Sequence, residues 1–315
     1  MRELVIKTND AGQRLDRFLA KAVPGLPGTL VQKYIRTKRI KVGGRRTERN
    51  YRLVEGDTVQ LYINDEFFGD QQTKAYETPA APVLDVVFED ENILIVNKPP
   101  GLLCHAGNEQ GAETLVDRVK AYLYHTKAWD PAREQSFVPA LCNRLDRNTG
   151  GLVLAGKSAA AQAYLNEKIR RREVDKYYLL AVHGRPEPTA GRIEGYLEKD
   201  HAKNRVNPTV AGAGESKDAV TEYRTLQTKD GVSLVECKLI TGRTHQIRAQ
   251  MAALGCPLVG DRKYGGQAVA GQEYQALWAY RVCFNFQDAG GILAYLRGQE
   301  FLSGDIPFVA RWFGV

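Results

Sequence analysis

Two aspartates in this chain sit in the same four-letter frame. RLDR occurs at residues 14–17, in AGQRLDRFLAKAV, and again at 144–147, in LCNRLDRNTGGLVLAGKS. A carboxylate flanked by guanidinium groups stays ionised, because nearby cations favour its charged form. That suits a nucleophile or an electrostatic stabiliser. The two copies have different settings. Around the first, Leu15, Phe18, Leu19 and Ala22 fall at i, i+3, i+4 and i+7, which is one apolar face of a helix. Asp16 then lies in that helix's first turn, where a carboxylate meets the helix dipole favourably. The second copy follows an extended apolar segment and precedes a turn over Asn148–Gly151, whose glycines allow another backbone or a ligand to approach. Asp146 is therefore the candidate for chemistry, although spacing alone also permits a structural turn closed by a salt bridge.

The elements that must position Asp146 follow from periodicity. DVVFEDENILIVNKPPG reads as strand, turn, strand and a stiff Pro-Pro-Gly turn, and TLVDRVKAYL as a helix. GLVLAGK is a buried strand, and Ser158 caps a helix in which Ala161, Leu165 and Ile169 share a face. DKYYLLAVHG and LVECKLITG are further strands. TGRTHQIRAQMAALGCP opens a helix with Ile247, Met251 and Leu254 inward, stopped by Gly255 with Pro257 following. This places Arg248 off the core face, near the positive helix N-terminus. In the first module, TLVQKYIRTKRIKVGG puts Val31, Tyr34 and Ile35 on one helical face and Gln32, Lys33 and Arg36 on the other. IKVGG and VQLYI then form a small hairpin. The polar stretch DEFFGDQQTKAYETPAAP, 65–82, breaks all periodicity and reads as a linker.

Charge separates the two parts. The 315-residue chain has 44 Lys+Arg, 37 Asp+Glu and a net charge of +7. Residues 1–64 hold 14 of the bases and 6 of the acids, net +8, so the remainder is close to neutral. Such asymmetry suits a module for a polyanion attached to a neutral body, its phosphate-facing candidates being Lys33, Arg36 and Arg39. The plain alternative is a solvated cationic surface. No apolar run is long enough for a membrane span, and MRELVIKTND lacks the apolar region of a secretory signal. The five cysteines are scattered, with no CxxC and no zinc-type spacing, so reduced thiols in a cytoplasmic protein and no metal site are expected.

Beyond these patterns, the chain resembles the RluA-type pseudouridine synthases along most of its length. NRLDRNTGGLVLAGK is similar to that family's segment around its catalytic aspartate, DKYYLLAVHG to its Lys-x-Tyr strand, LITGRTHQIRAQMAALGCPLVGDRKYGG to its C-terminal motif, and VFEDENILIVNKPPGLL to its opening strands. The basic module resembles the ribosomal-protein-S4-like RNA-binding domain. The resemblance implies an α+β protein: an S4-like domain over 1–64, the linker 65–82, and a catalytic domain over 83–315. That domain would hold a mixed, largely antiparallel sheet flanked by helices, the pseudouridine synthase fold. It implies isomerisation of uridines in structured RNA, most naturally large-subunit ribosomal RNA and less so transfer RNA, without cofactor or metal.

The implied roles fall on Asp146 as catalytic carboxylate, Tyr178 as active-site tyrosine (Tyr177 in the alternative register) and Arg248 as the aspartate's partner. Arg144 is the arginine that displaces the target nucleotide. Arg147, His245 and Gln246 are further candidates for RNA contact. A flipped-out base is what such chemistry requires, since a stacked base is inaccessible. Asn143 and Thr149-Gly150-Gly151 depart from the family's usual residues around the aspartate. An RNA-binding assembly factor and a hydrolase releasing uracil are the competing readings, the first disfavoured by the joint presence of Asp146, Tyr178 and Arg248. GAGES at 212–216 has no strand and helix around it to make a phosphate loop. Arg170, Arg171 and Arg172 end a helix, where cations are expected in any case.

Overall fold

The computed structural model describes residues 1–68, 82–107, 111–200, 205–211, 216–269, 271–288 and 290–314. Most of the expected linker, residue 201 and nearly all of GAGES lie outside them. The chain clusters into two compact units. One comprises Met1–Val83, Asp117–Ala140 and Gly156–Ala163; the other comprises Leu84–Val116, Leu141–Ala155 and Tyr164–Val315.

In the first unit the basic segment folds as β1 (Arg2–Val5), α1 (Leu15–Ala22), α2 (Gly28–Arg36), β2 (Ile40–Val42) and β3 (Thr58–Leu61). The strands form an antiparallel sheet in the order β1-β3-β2. Leu15, Phe18 and Leu19 of α1 meet Val31, Tyr34 and Ile35 of α2 in one core, as the two apolar stripes require. Each such side chain removed from water contributes roughly 1.5–3 kcal/mol. Lys33, Arg36 and Arg39 are exposed. β1 has no sequence signature because three of its four residues are exposed. Phe67 and Phe68 dock on this module itself: Phe67 meets Tyr34 edge-on at 6.4 Å, and the Arg2 guanidinium lies 4.1 Å from the Phe68 ring centre. Residues 133–136 join the module through polar contacts, including Gln13 Nε2 to Ser136 Oγ at 2.7 Å and Lys7 Nζ to the Arg133 carbonyl at 2.6 Å.

The second unit is built on a sheet that has eleven strands among the described residues. The elements that follow β3 along the chain are β4 (Val86–Glu89), β5 (Ile93–Lys98), α3 (Leu115–His125), β6 (Ala140–Leu141), β7 (Gly150–Gly156), α4 (Ala159–Arg170), β8 (Val174–His183), β9 (Ala190–Asp200), β10 (Arg205–Thr209), β11 (Lys217–Lys229), β12 (Val232–Leu239), α5 (Gln246–Ala253), β13 (Leu277–Phe284), β14 (Glu300–Leu302) and α6 (Pro307–Phe313). α3, β6, β7 and α4 continue across the division between units. The strand order is β10-β9-β11-β12-β8-β13-β7-β5-β4, with β14 on β13 and β6 on β7. β13 runs parallel to β7 and antiparallel to β8, so the sheet is mixed. Ser158 Oγ accepts from Ala161 N–H at 3.2 Å and so caps α4 as read from the sequence.

Alternation along β8 divides the sheet's two faces. Leu179 and Ala181 pack with Trp278 and with Phe308, Val309 and Phe313 of α6. Lys176 and Tyr178 look the other way, into a cavity. α5 corrects the sequence reading. Every residue from Gln246 to Met251 is buried, Arg248 included, whereas Leu254 is 39% exposed and lies beyond the helix end. The sequence pattern predicts a one-sided helix; this one is enclosed on several sides, and its polar residues are accommodated by hydrogen bonds. Thr221 Oγ1 donates to Gln250 Oε1 at 2.6 Å, and Gln250 Nε2 donates to the Ala219 carbonyl at 3.1 Å.

Candidate active site

Asp146 is held on its loop by backbone and side chain together. Lys98, at the end of β5, is fully buried, and its ammonium donates to the carbonyls of Pro99 (2.8 Å), Leu102 (2.8 Å) and Arg147 (2.9 Å). Burial pulls its pKa down to about 8, against opposing charges on Cys104 and Asp146. Gly101 N–H also donates to the Arg147 carbonyl at 2.9 Å, and Arg147 Nε returns a bond to the Gly101 carbonyl at 3.1 Å. The Pro-Pro-Gly turn is thus tied to the residue after Asp146. On the other side, Leu145 N–H donates to Cys104 Sγ at 3.3 Å, and Thr149 N–H to the Asp146 carbonyl at 3.1 Å. The two glycines admit a strand. A Cβ on Gly151, whose φ is +114°, would lie 2.2 Å from the Ala279 carbonyl oxygen, and one on Gly150 would lie 2.3 Å from the Trp278 ring. Asn143 secures the opposite strand by accepting from Leu154 N–H at 2.8 Å.

The carboxylate meets a guanidinium from α5. Arg248 Nη1 donates to Asp146 Oδ2 at 3.0 Å, while Nε and Nη2 donate to the two oxygens of buried Asp261 at 2.6 and 2.8 Å. Burial opposes the charge on Arg248, but the hydrogen bonds and charges of Asp261 and Asp146 outweigh it and raise its pKa. Tyr178, 5% exposed, lines the same cavity of about 280 Å³. Burial first, then the Asp146 charge, pushes its phenol above its ordinary pKa, so it stays protonated at neutral pH. Tyr177 points elsewhere, with the Arg281 guanidinium 3.9 Å from its ring centre. The geometry therefore brings Asp146, Tyr178 and Arg248 to one cavity and leaves the alternative register outside it.

His245 lies at the N-terminus of α5 with φ +51°. Its Nδ1 is 3.1 Å from the Tyr264 hydroxyl and its Nε2 is 3.7 Å from Asp146 Oδ2. Burial drives its pKa down to about 4 despite the adjacent Asp146, so the ring is neutral at physiological pH. Gln246 orders the turn. Its Oε1 accepts from Thr241 Oγ1 and Arg243 N–H, and its amide donates to Val220 O and Thr221 Oγ1, all within 3.0 Å. With a relative exposure of 2%, its side chain is turned inward to hold this turn. Arg144 is exposed and makes no hydrogen bond or ion pair among the described residues. Arg170 and Arg171 both reach Glu167, at 2.7 and 2.6 Å.

Sequence reasoning missed Lys98, Asp261, Tyr264 and Lys176 around this cavity. Each lies in a motif already singled out, but nothing in spacing announces which loop residue a buried guanidinium will find. In the first unit, Arg46 and Arg49 join Lys33 and Arg36 along one groove. Among the described residues, no group of three His, Cys, Asp or Glu side chains is placed to hold a metal ion, and no helix is long and apolar enough to cross a membrane. Asp16 has a local partner instead: Arg14 Nε and Nη2 donate to its two oxygens at 3.1 and 2.6 Å.

Comparison with known proteins identifies the family. The family model described as RNA pseudouridylate synthase matches residues 92–253. The chain is 32% identical to ribosomal large subunit pseudouridine synthase D of Xanthomonas campestris, over 84% of this chain and 75% of that protein. It is likewise 32% identical to ribosomal large subunit pseudouridine synthase C of Rickettsia bellii, over 83% and 86%. The solved structure of human RNA pseudouridylate synthase domain containing 4 shares the fold, with a TM-score of 0.55 at 22% identity, covering 70% of this chain and 88% of that one. With a family match over half its length and these relatives across most of it, the chain belongs to the RNA pseudouridine synthases.

Proposed function

We propose that this enzyme isomerises specific uridines of structured large-subunit ribosomal RNA to pseudouridine, with Asp146 as the catalytic carboxylate acting on a flipped-out nucleotide. The observation that carries the reading is the Asp146 carboxylate at the wall of a cavity of about 280 Å³, bonded to Arg248 and sharing that cavity with Tyr178. Ribosomal RNA as substrate draws on the names of the relatives.

The chemistry follows from charge. Breaking the N1–C1′ bond leaves C1′ electron-deficient, and an ionised carboxylate stabilises or traps that centre. Arg248 orients Asp146 through its 3.0 Å hydrogen bond. Tyr178 offers a ring face for the uracil and a phenol for a late proton transfer. A base in a stem is reached only after unstacking, at a cost of a few kcal/mol; exposed Arg144 is available to fill the vacated place. Arg147 and His245 flank the same loop. The segment 1–64 acts as an S4-like RNA-binding module, its Lys33, Arg36 and Arg39 supplying affinity through phosphates while residues 83–315 supply the chemistry. None of the five cysteines is in a disulfide, in keeping with a cytoplasmic enzyme.

Mapping pseudouridines at nucleotide resolution in ribosomal and transfer RNA, from cells with and without the gene, tests the reading. Loss of one or a few large-subunit sites is expected. An unchanged ribosomal map with a missing transfer-RNA site would overturn the substrate, and no change anywhere would overturn the activity.

A further inference from the structure

Lys176 and Tyr178 stand two residues apart on β8 and line the same cavity as Asp146. Of the other arginines there, Arg144 is exposed to solvent, and the remaining two are already engaged. Arg248 is bonded to Asp146 and Asp261, and Arg243 is bonded to the carbonyl and the carboxylate of Asp218. Lys176 makes no hydrogen bond or ion pair with any described residue. Its sequence neighbour Asp175 is bonded to Lys238 at 2.7 Å and to Asn285 at 2.7 Å. Lys176 is half-buried, and desolvation holds its pKa below its ordinary value against the opposing charge of Asp175. Such a group is compensated when an occupant of the cavity brings negative charge.

The reaction proposed above generates that charge, and the inference rests on that reading. When N1–C1′ breaks heterolytically, the bonding pair stays on N1 and spreads onto O2 and O4 of the uracil. C1′ is left electron-deficient beside Asp146. After the ring turns, C5 supplies the electron pair of the new bond to C1′. The C5 proton is then released to solvent and N1 takes one up from solvent, so substrate and product have the same atoms. We propose that Lys176 is a further catalytic residue, its ammonium binding a carbonyl oxygen of the detached uracil anion while the base turns. It keeps its protons throughout and acts by charge alone. A phosphate would be a different occupant. Being equally charged before and during the reaction, it would be bound uniformly and would affect affinity rather than rate.

The test uses the full chain, an in vitro transcript of large-subunit ribosomal RNA carrying uridine tritiated at C5, and single-turnover release of tritium at saturating enzyme. Lys176→Met removes the charge at similar length and, since no described residue depends on it, should melt within a few degrees of wild type. Its saturating rate should fall by about a hundredfold or more, with RNA affinity within threefold; Lys176→Arg should recover at least a tenth of the wild-type rate. A Lys176→Met rate within threefold of wild type would overturn the proposal, as would a loss confined to affinity or no recovery with arginine. Wild-type enzyme inactive on this RNA would overturn the functional reading and the inference together. An active wild type with an unaffected Lys176→Met overturns the inference alone.

Discussion

Asp146 Oδ2 accepts a 3.0 Å hydrogen bond from Nη1 of Arg248, a residue 102 positions further along the chain. Asp16, in the identical RLDR frame, closes on Arg14 two residues away. One motif is therefore tied to a distant helix and the other to itself. Asp146→Asn preserves size and removes the charge. It should reduce pseudouridine formation at least a thousandfold while leaving RNA affinity within a few-fold. Asp16→Asn should leave the saturating rate unchanged. Single-turnover kinetics on the same RNA compare the two directly, and full turnover by Asp146→Asn would remove it from the mechanism.

The Arg248 guanidinium also neutralises Asp261, whose side chain is fully buried. Arg248→Met strands that carboxylate in the interior, and removing one member of a buried pair typically costs about 3–5 kcal/mol. At roughly 2–4 °C per kcal/mol for a domain of 150–250 residues, the melting temperature of this unit should fall by about 6–20 °C. Adding Asp261→Asn should restore much of the stability without restoring activity, because Asp146 still lacks its partner. Thermal melts paired with turnover separate the two contributions; an active double variant would show that Arg248 serves only to satisfy Asp261.

His245 ties stability to pH. Its pKa is lowered from 6.5 to about 4 in the folded protein, chiefly by burial. Between those values the unfolded chain binds a proton that the folded chain does not, so stability rises with pH in this window. The contribution is fully present above pH 6.5 and is lost as pH falls towards 4, with a ceiling of about 3 kcal/mol at roughly 1.4 kcal/mol per pKa unit. His245→Asn should flatten the pH dependence between 6.5 and 4. Urea unfolding at several pH values checks this, and parallel curves for the two proteins would contradict it.

What could be read from the sequence follows from how each element is buried. α1 and α2 each expose one side, so their periodicity marks both the core residues and the outward Lys33 and Arg36. The strand that carries Tyr178 was legible as an apolar run. β9 was not, because only Leu197 of its eleven residues is buried and there is no apolar face to imprint an alternation. α5 failed in the opposite way. Enclosed on several sides, it satisfies Gln246, Arg248 and Gln250 by hydrogen bonds, so inward positions are polar as well as apolar. Asp146, Tyr178 and Arg248 are recognisable through family resemblance. The links that hold them, such as Lys98 on the Arg147 carbonyl, join chain segments whose meeting no local pattern encodes.

The basic groove of the first unit supplies the last test. Lys33 and Arg36 project from the side of α2 opposite Val31, Tyr34 and Ile35, and share a groove with Arg46 and Arg49. If this face tracks phosphates, each phosphate it neutralises releases about one counterion, and each cation removed lowers the salt slope of binding by about 1. Lys33→Ala with Arg36→Ala should weaken binding to the natural RNA and reduce the slope by about 2. Neither side chain supports the core, so the fold should be unaffected. The saturating rate should fall far less than affinity, since Asp146, Tyr178 and Arg248 belong to the other unit. Single-turnover kinetics at several salt concentrations measure both quantities on wild type and the double variant. An unchanged affinity with an unchanged slope would mean that these cations are only a solvated surface.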